Sequence, residues 1–269
     1  MPGGTDTALV LIHGMGGGIV NWRCVEERLA RDHVTFVTLE LPWHGRSKPA
    51  TDLRTEADVF DALARTLESA WSGDMVLVGH SLGGYAALRL AETFAGRTKQ
   101  VVLIAGHLFK ANEILSGDIK WYSDLKATLT LCRAIASACT PIQGPFRKAL
   151  NESRRVRKVV LPPIIDPFPI TNETRVGDCL SAQGPLPTYH DIRFGRVASL
   201  REAARSCDSP VRLLAGEFDP LTGEYDMGVA RELFKSLEVI TLRSCAHWPI
   251  VERPDLVVRH LAEDLVHGC

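Results

Sequence analysis

The 269-residue sequence predicts an α/β layered fold, a mainly parallel sheet covered by helices on both faces, on three observations. Short apolar runs recur along the chain, each ends in a turn signal, and each leads into a segment of helical periodicity. Runs that are apolar throughout, rather than alternating, are those of strands buried on both faces. Strand–helix alternation closes such strands into one sheet through right-handed crossovers.

Residues 8–12 are the first expected strand and stop at His13-Gly14, with a helix expected over 20–31. Residues 34–39 run toward Pro42 and precede an amphipathic helix over 55–70. Residues 75–78 run into Gly79, and a helix rich in Ala and Leu is expected over 82–95. Residues 101–105 stop at Gly106. The rhythm resumes with strands at 211–215 and 237–242 and with helices near 226–234 and 254–266. Between these parts, residues 107–200 break the pattern. They hold a helical stretch (121–138), the basic run Arg154-Arg155-Val156-Arg157-Lys158 and a proline-rich stretch (161–169). A segment this long between two core strands is not a plain loop. The expected organisation is therefore a core of residues 1–106 and 201–269, with 107–200 inserted as a helical lid over the C-terminal edge of the sheet.

Composition narrows the function classes. Hydrophobic residues at 45% and charged residues at 23% are the balance of a soluble globular chain. Lys+Arg 31 against Asp+Glu 32 lacks the basic excess of a domain-wide nucleic-acid footprint. No apolar run approaches the roughly 20 residues of a membrane span, and the N-terminus lacks the pattern of a signal peptide. Seven scattered cysteines with no CxxC pair suggest neither a disulfide framework nor a zinc site, so a cytoplasmic protein without a metal is expected.

The strongest chemical signal is Gly79-His80-Ser81-Leu82-Gly83, placed between an expected strand and an expected helix. There a sharp turn holds a serine hydroxyl up at the sheet edge, which makes Ser81 a candidate nucleophile. An activated serine needs a base, and the base needs an orienting acid. Gly216-Glu217-Phe218-Asp219 follows one late strand and Ser244-Cys245-Ala246-His247-Trp248-Pro249 the next. Chain order then assigns Asp219 as the acid and His247 as the base; Glu217, nearer its strand, is the rival acid and is read as structural. For the oxyanion the expected donors are the N–H groups of Leu82, which follows the nucleophile, and of Met15, in His13-Gly14-Met15-Gly16-Gly17-Gly18. That loop lacks the Lys-Ser/Thr ending of a phosphate loop, and no cofactor is implied.

These segments resemble the signatures of α/β-hydrolase-fold serine hydrolases, in order from His13-Gly14-Met15-Gly16-Gly17 to His247-Trp248-Pro249-Ile250-Val251-Glu252-Arg253-Pro254. The family's D-x-P-G-H-G-x-S turn stands here as Glu40-Leu41-Pro42-Trp43-His44-Gly45-Arg46-Ser47, with Glu for Asp and Trp for Gly. The HG strand lies near residue 1, so the family's N-terminal antiparallel hairpin is expected to be absent, as in compact members with six parallel strands. The resemblance implies an ester or thioester hydrolase working through an acyl-enzyme. His13, Gly14, Trp43 and Trp248 are candidate substrate contacts; Trp43, a departure from the family's turn, reads equally as core packing or as a change of the local turn. The same site serves acyltransferases, cyclases, carbon–carbon hydrolases and lyases, and a non-catalytic small-ligand receptor is a further alternative.

Three features carry two readings each. Phe109, Trp121, Tyr122, Phe146, Phe168, Tyr189 and Phe194 line an acyl pocket or form the lid's own core. The basic run is a solvated face or a docking patch for an acidic acyl carrier protein. His13 holds its loop or lines the pocket. Cys132 and Cys139 are expected as buried small hydrophobes.

Overall fold

Six strands form the sheet: β1 (Thr7–Ile12), β2 (Phe36–Leu39), β3 (Asp74–His80), β4 (Thr98–Ile104), β5 (Val211–Gly216) and β6 (Leu237–Leu242). In the computed structural model, which describes residues 7–47, 53, 55–195 and 199–267, they run in the order β2-β1-β3-β4-β5-β6. Every pairing is parallel. All C-terminal strand ends therefore lie on one edge.

The apolar runs are explained by burial on both faces. Val10, Ile12, Met75, Leu77, Val101 and Leu103 enter one core, beneath the helices α2 (Glu56–Ala70), α3 (Leu82–Thr93), α10 (Leu200–Ser206) and α11 (Glu224–Leu233). Their neighbours Leu9, Leu11, Val76, Val78, Val102 and Ile104 enter the other. There they meet α1 (Arg23–Arg31), the short α12 (Pro249–Glu252) and α13 (Pro254–His267).

Local chemistry sets several boundaries. Thr55 caps α2 reciprocally with Asp58: Asp58 N–H donates to Thr55 Oγ1 at 3.2 Å and Thr55 N–H to Asp58 Oδ2 at 2.8 Å. The first expected helix divides into a 3₁₀ turn (Ile19–Trp22) and α1. β2 begins at Phe36, later than expected, because Val34 N–H still bonds back to Leu29 O at 3.0 Å and His33 turns at φ 55°.

Residues 107–200 hold α4 (Phe109–Ser116), α5 (Leu125–Cys139), α6 (Gly144–Glu152), α7 (Arg154–Val160), α8 (Val176–Cys179) and α9 (Pro185–Gly195). α5 starts later than the periodicity suggests because Asp124 accepts from Ala127 N–H and caps it there. Ile142, Leu150, Leu161, Ile164 and Val176 share the second core with Trp22 and Trp248. Cys132 is exposed and Cys139 half-buried, against the expectation that both are core residues. Their face of α5 points outward.

The basic run forms α7, and its charges divide. Arg154, Arg155 and Lys158 are exposed, whereas Arg157 is 2% exposed. The Arg157 guanidinium donates to Leu150 O and Asn151 O, both at 3.0 Å, and to Asn172 Oδ1 at 2.9 Å. Arg157→Ala would strand these acceptors. It is expected to lower the free energy of urea unfolding by about 3 kcal/mol, against under about 0.5 kcal/mol for the exposed Arg154→Ala. Equal losses would contradict the assignment of Arg157 as a structural hub.

Candidate active site

The end of β3 turns directly into α3, and Ser81 is the hinge, at φ 53° and ψ −123°. A non-glycine residue in that region stores strain, which the surroundings must hold in place. Close packing does so: a Cβ on Gly79 would run into Gly83 O, and one on Gly83 into Ile12 O. Ser81 N–H donates to Ile104 O at 2.9 Å, tying the turn to β4.

Loops after β5 and β6 bring the two partners to the same edge. His247 Nε2 lies 2.9 Å from Ser81 Oγ, and His247 Nδ1 lies 2.9 Å from Asp219 Oδ2. A carboxylate only accepts, so Nδ1 carries the proton and Nε2 accepts from the serine hydroxyl. Burial pushes the Asp219 carboxyl up, but the facing imidazole and the N–H of Leu221 outweigh it and hold the group below its ordinary value. Such a chain of bonds can raise the nucleophilicity of a hydroxyl. Glu217 instead faces solvent and accepts from Ser244 N–H at 2.9 Å. The rival acid holds a turn and does not touch His247.

Two supports of His247 escape sequence reading. Buried Glu252 accepts from Ala246 N–H at 2.6 Å and Trp248 N–H at 2.9 Å, gripping the backbone on both sides of the imidazole. Burial pushes its carboxyl up to about 7. His80, pulled down to about 3 by burial and therefore neutral, donates from Nε2 to His247 O at 2.8 Å. Both residues lie within motifs already visible in the sequence, but the partner of His80 is 167 residues away, and Glu252, though only four and six residues from its donors, is marked as a buried acceptor by nothing in its motif.

A narrow cavity opens over Ser81 in two lobes of about 60 Å³ each. Met15 and Ser81 border both lobes, and Leu82 borders one. The first lobe is walled by Leu131, Ala134 and Ala138 of α5, by Ile164 and by Trp248; the second by Tyr85, Leu108, Ala111 and Leu115. The spacing of small apolar residues on α5 was the available signal for this wall.

The other expected contacts stand elsewhere. His13 is fully buried: Nδ1 donates to Gly14 O at 2.9 Å and Nε2 accepts from Leu41 N–H at 3.0 Å. It holds its loop rather than lining the cavity. Gly14 packs beneath, where a Cβ would come 2.9 Å from Ser81 Cβ. Trp43, at φ 67°, stacks on His190 at 4.6 Å beside a separate hollow. None of the seven aromatics reaches the Ser81 cavity. Phe109 is in the core, and Trp121, Tyr122, Phe168 and Tyr189 are exposed. Phe146 packs on the second core, and Phe194 lies against Phe60 and Tyr85.

A hydroxyl, an imidazole and a carboxylate thus lie hydrogen-bonded in line at the C-terminal edge of the parallel sheet. The sequence matches the model described as "Alpha/beta hydrolase family" over residues 9–260, and the chain belongs to that family. It is 26% identical over 256 residues to the pimeloyl-[acyl-carrier protein] methyl ester esterase of Cronobacter sakazakii, covering 91% of this chain and 88% of that one. A second match, 38% identical over 103 residues, is to the dihydrolipoyllysine-residue acetyltransferase component of the acetoin cleaving system of Cupriavidus necator. It covers 38% of this chain and 27% of that protein. Among solved structures, a thermophilic esterase from Thermogutta terrifontis aligns with TM-score 0.69 and 17% identity, covering 98% of this chain and 91% of that one. An E-2-(acetamidomethylene)succinate hydrolase aligns with TM-score 0.68 and 18% identity, over 97% and 91%. These two likenesses establish the fold. Among the described residues, no helix is long and apolar enough to cross a membrane.

Proposed function

We propose that the protein hydrolyses an ester or thioester through an acyl-enzyme on Ser81. The observation that carries this reading is the 2.9 Å pair of contacts from His247 to Ser81 and Asp219, at the floor of an apolar cavity. Ser81 Oγ attacks the carbonyl carbon while His247 Nε2 takes its proton, and Asp219 stabilises the imidazolium. The N–H groups of Met15 and Leu82 receive the developing oxyanion. His247 then protonates the leaving alcohol or thiol, and water repeats the sequence to release the acid. No metal or cofactor takes part in these steps.

The narrow, largely apolar lobes favour a short, unbranched acyl group, and the helices of 107–200 serve as the lid that encloses it. The Cronobacter relative acts, by its name, on an ester carried by an acyl carrier protein. A carrier-bound substrate for this chain is supported by the exposed Arg154, Arg155 and Lys158 on α7, a few residues before the cavity wall at Ile164. A reducing, cytoplasmic setting suits the thiols of Cys24 and Cys179, which lie 3.7 Å apart.

A fluorophosphonate probe should label the protein at Ser81, and short p-nitrophenyl esters should turn over faster than long ones. Charge reversal at Arg154 and Arg155 is expected to raise KM about fivefold or more for a carrier-bound acyl ester, with small-ester turnover little changed. Added salt should reproduce that rise in the wild type. Equal losses on both substrates would assign α7 to structure alone.

A further inference from the structure

His44, in the turn after β2, and Asp191, on α9, meet the loop after β1 in a buried cluster outside the cavity. Asp191 Oδ2 accepts from Gly16 N–H at 2.6 Å and from His44 Nε2 at 3.0 Å. His44 Nδ1 lies 2.8 Å from Pro42 O. Side chains of His44 and Asp191 are 1% and 5% exposed. Gly16 is the residue after Met15; it turns at φ 63°, and a Cβ there would come 2.8 Å from Thr188 Oγ1 and 3.0 Å from Ala138 Cβ. Its backbone is therefore seated against α9 and α5, with the Asp191 bond fixing its direction.

Both nitrogens of His44 face groups that only accept, so both must donate, and the ring is an imidazolium. A neutral ring would leave one lone pair pointing at Pro42 O or at the Asp191 carboxylate. We infer that Asp191 and protonated His44 form a buried charged clamp that positions the Met15 amide for the oxyanion, and that loss of the His44 proton loosens it. This inference rests on the acyl-enzyme reading above. Neither residue borders the Ser81 cavity, so both are positioning residues.

The surroundings favour the charge. Burial opposes it, but the bond and charge of Asp191, Pro42 O and the nearby Glu40 outweigh that and lift His44 above the ordinary imidazole value. His13, with its ring 4.8 Å away, is pulled to about 3 by burial and brings no rival cation. His190 on α9 is lowered by burial and by Arg193. A raised His44 keeps the clamp closed below the ordinary imidazole value and opens it as pH rises through the folded value. The consequence is an alkaline fall in kcat.

The test compares kcat and KM of a short p-nitrophenyl ester across pH 6–10 for wild type, Asp191→Ala, Asp191→Asn, His44→Gln and Ser81→Ala. Asp191→Ala is expected to lower kcat about 10- to 100-fold at neutral pH with KM within about twofold, the signature of lost transition-state positioning. His44→Gln, which can still donate to Asp191 but cannot titrate there, is expected to lower kcat less and to abolish the alkaline fall. Should Asp191→Ala not fold, Asp191→Asn, which keeps the acceptor for Gly16 N–H but not the charge, must still flatten that fall. A folded Asp191 variant with wild-type kcat, a loss confined to KM, or an alkaline fall that persists in His44→Gln would each overturn the clamp. Turnover surviving in Ser81→Ala would overturn the acyl-enzyme reading itself, whatever the clamp variants do.

Discussion

Replacing Ser81 by alanine is expected to abolish fluorophosphonate labelling and to lower kcat by on the order of 10⁴ or more. Among the described residues the Ser81 hydroxyl is the group that His247 Nε2 meets, at 2.9 Å, and its removal leaves imidazole and carboxylate without that nucleophile. Folding should be retained. Alanine tolerates φ 53° about as poorly as serine, so the strain at the turn is unchanged, and the Ser81 N–H bond to Ile104 O involves the backbone alone. Matching urea midpoints with lost turnover would establish the role; full activity in the variant would point to a binding protein with another task.

The second large effect separates two carboxylates two residues apart. Asp219→Asn presents an amide where His247 Nδ1–H now donates, and one amide orientation forces the wrong tautomer on the imidazole. A loss on the order of 10⁴ in kcat is expected with the fold intact. Glu217→Gln keeps an oxygen that can accept from Ser244 N–H at an exposed position, and activity should stay within a few-fold of wild type. Parallel kcat measurements on the two variants decide the matter. The reverse ranking would move the acid to Glu217 while leaving the serine chemistry standing.

Legibility in the sequence follows the range of the interactions. The four central strands were readable because burial on both faces demands a short apolar-rich run, a demand each segment meets by itself, while the half-buried edge strands β2 and β6 keep enough apolar residues beside Thr38, Glu238 and Thr241 to be seen. Gly79-His80-Ser81-Leu82-Gly83 was readable for a related reason: the tight turn imposes glycine where Gly83 O and Ile12 O leave no room for a Cβ. Order along the chain placed Asp219 and His247 at strand ends on the same edge. The α2 cap, with Thr55 and Asp58 three apart, is equally local.

What only the tertiary structure decided involves partners far apart in sequence. Gly16 and Asp191 are 175 residues apart and His44 and Asp191 are 147 apart, and no periodicity in either neighbourhood announces that they meet. Arg157 sits in a run of exposed cations and is buried only because α6 and the loop at Asn172 close around it. Seven aromatics suggested a pocket by composition, yet none of them lines the cavity over Ser81, whose aromatic walls are Tyr85 and Trp248, since which face of α5 turns inward depends on what it packs against. His13 and Trp43 stand in family motifs but serve a loop and a neighbouring stack. Residue type and local spacing determined the sheet, the turn at Ser81 and the order of the reacting groups. Packing between distant segments decided the cavity and the charged supports, because burial and the pairing it requires belong to the folded chain as a whole.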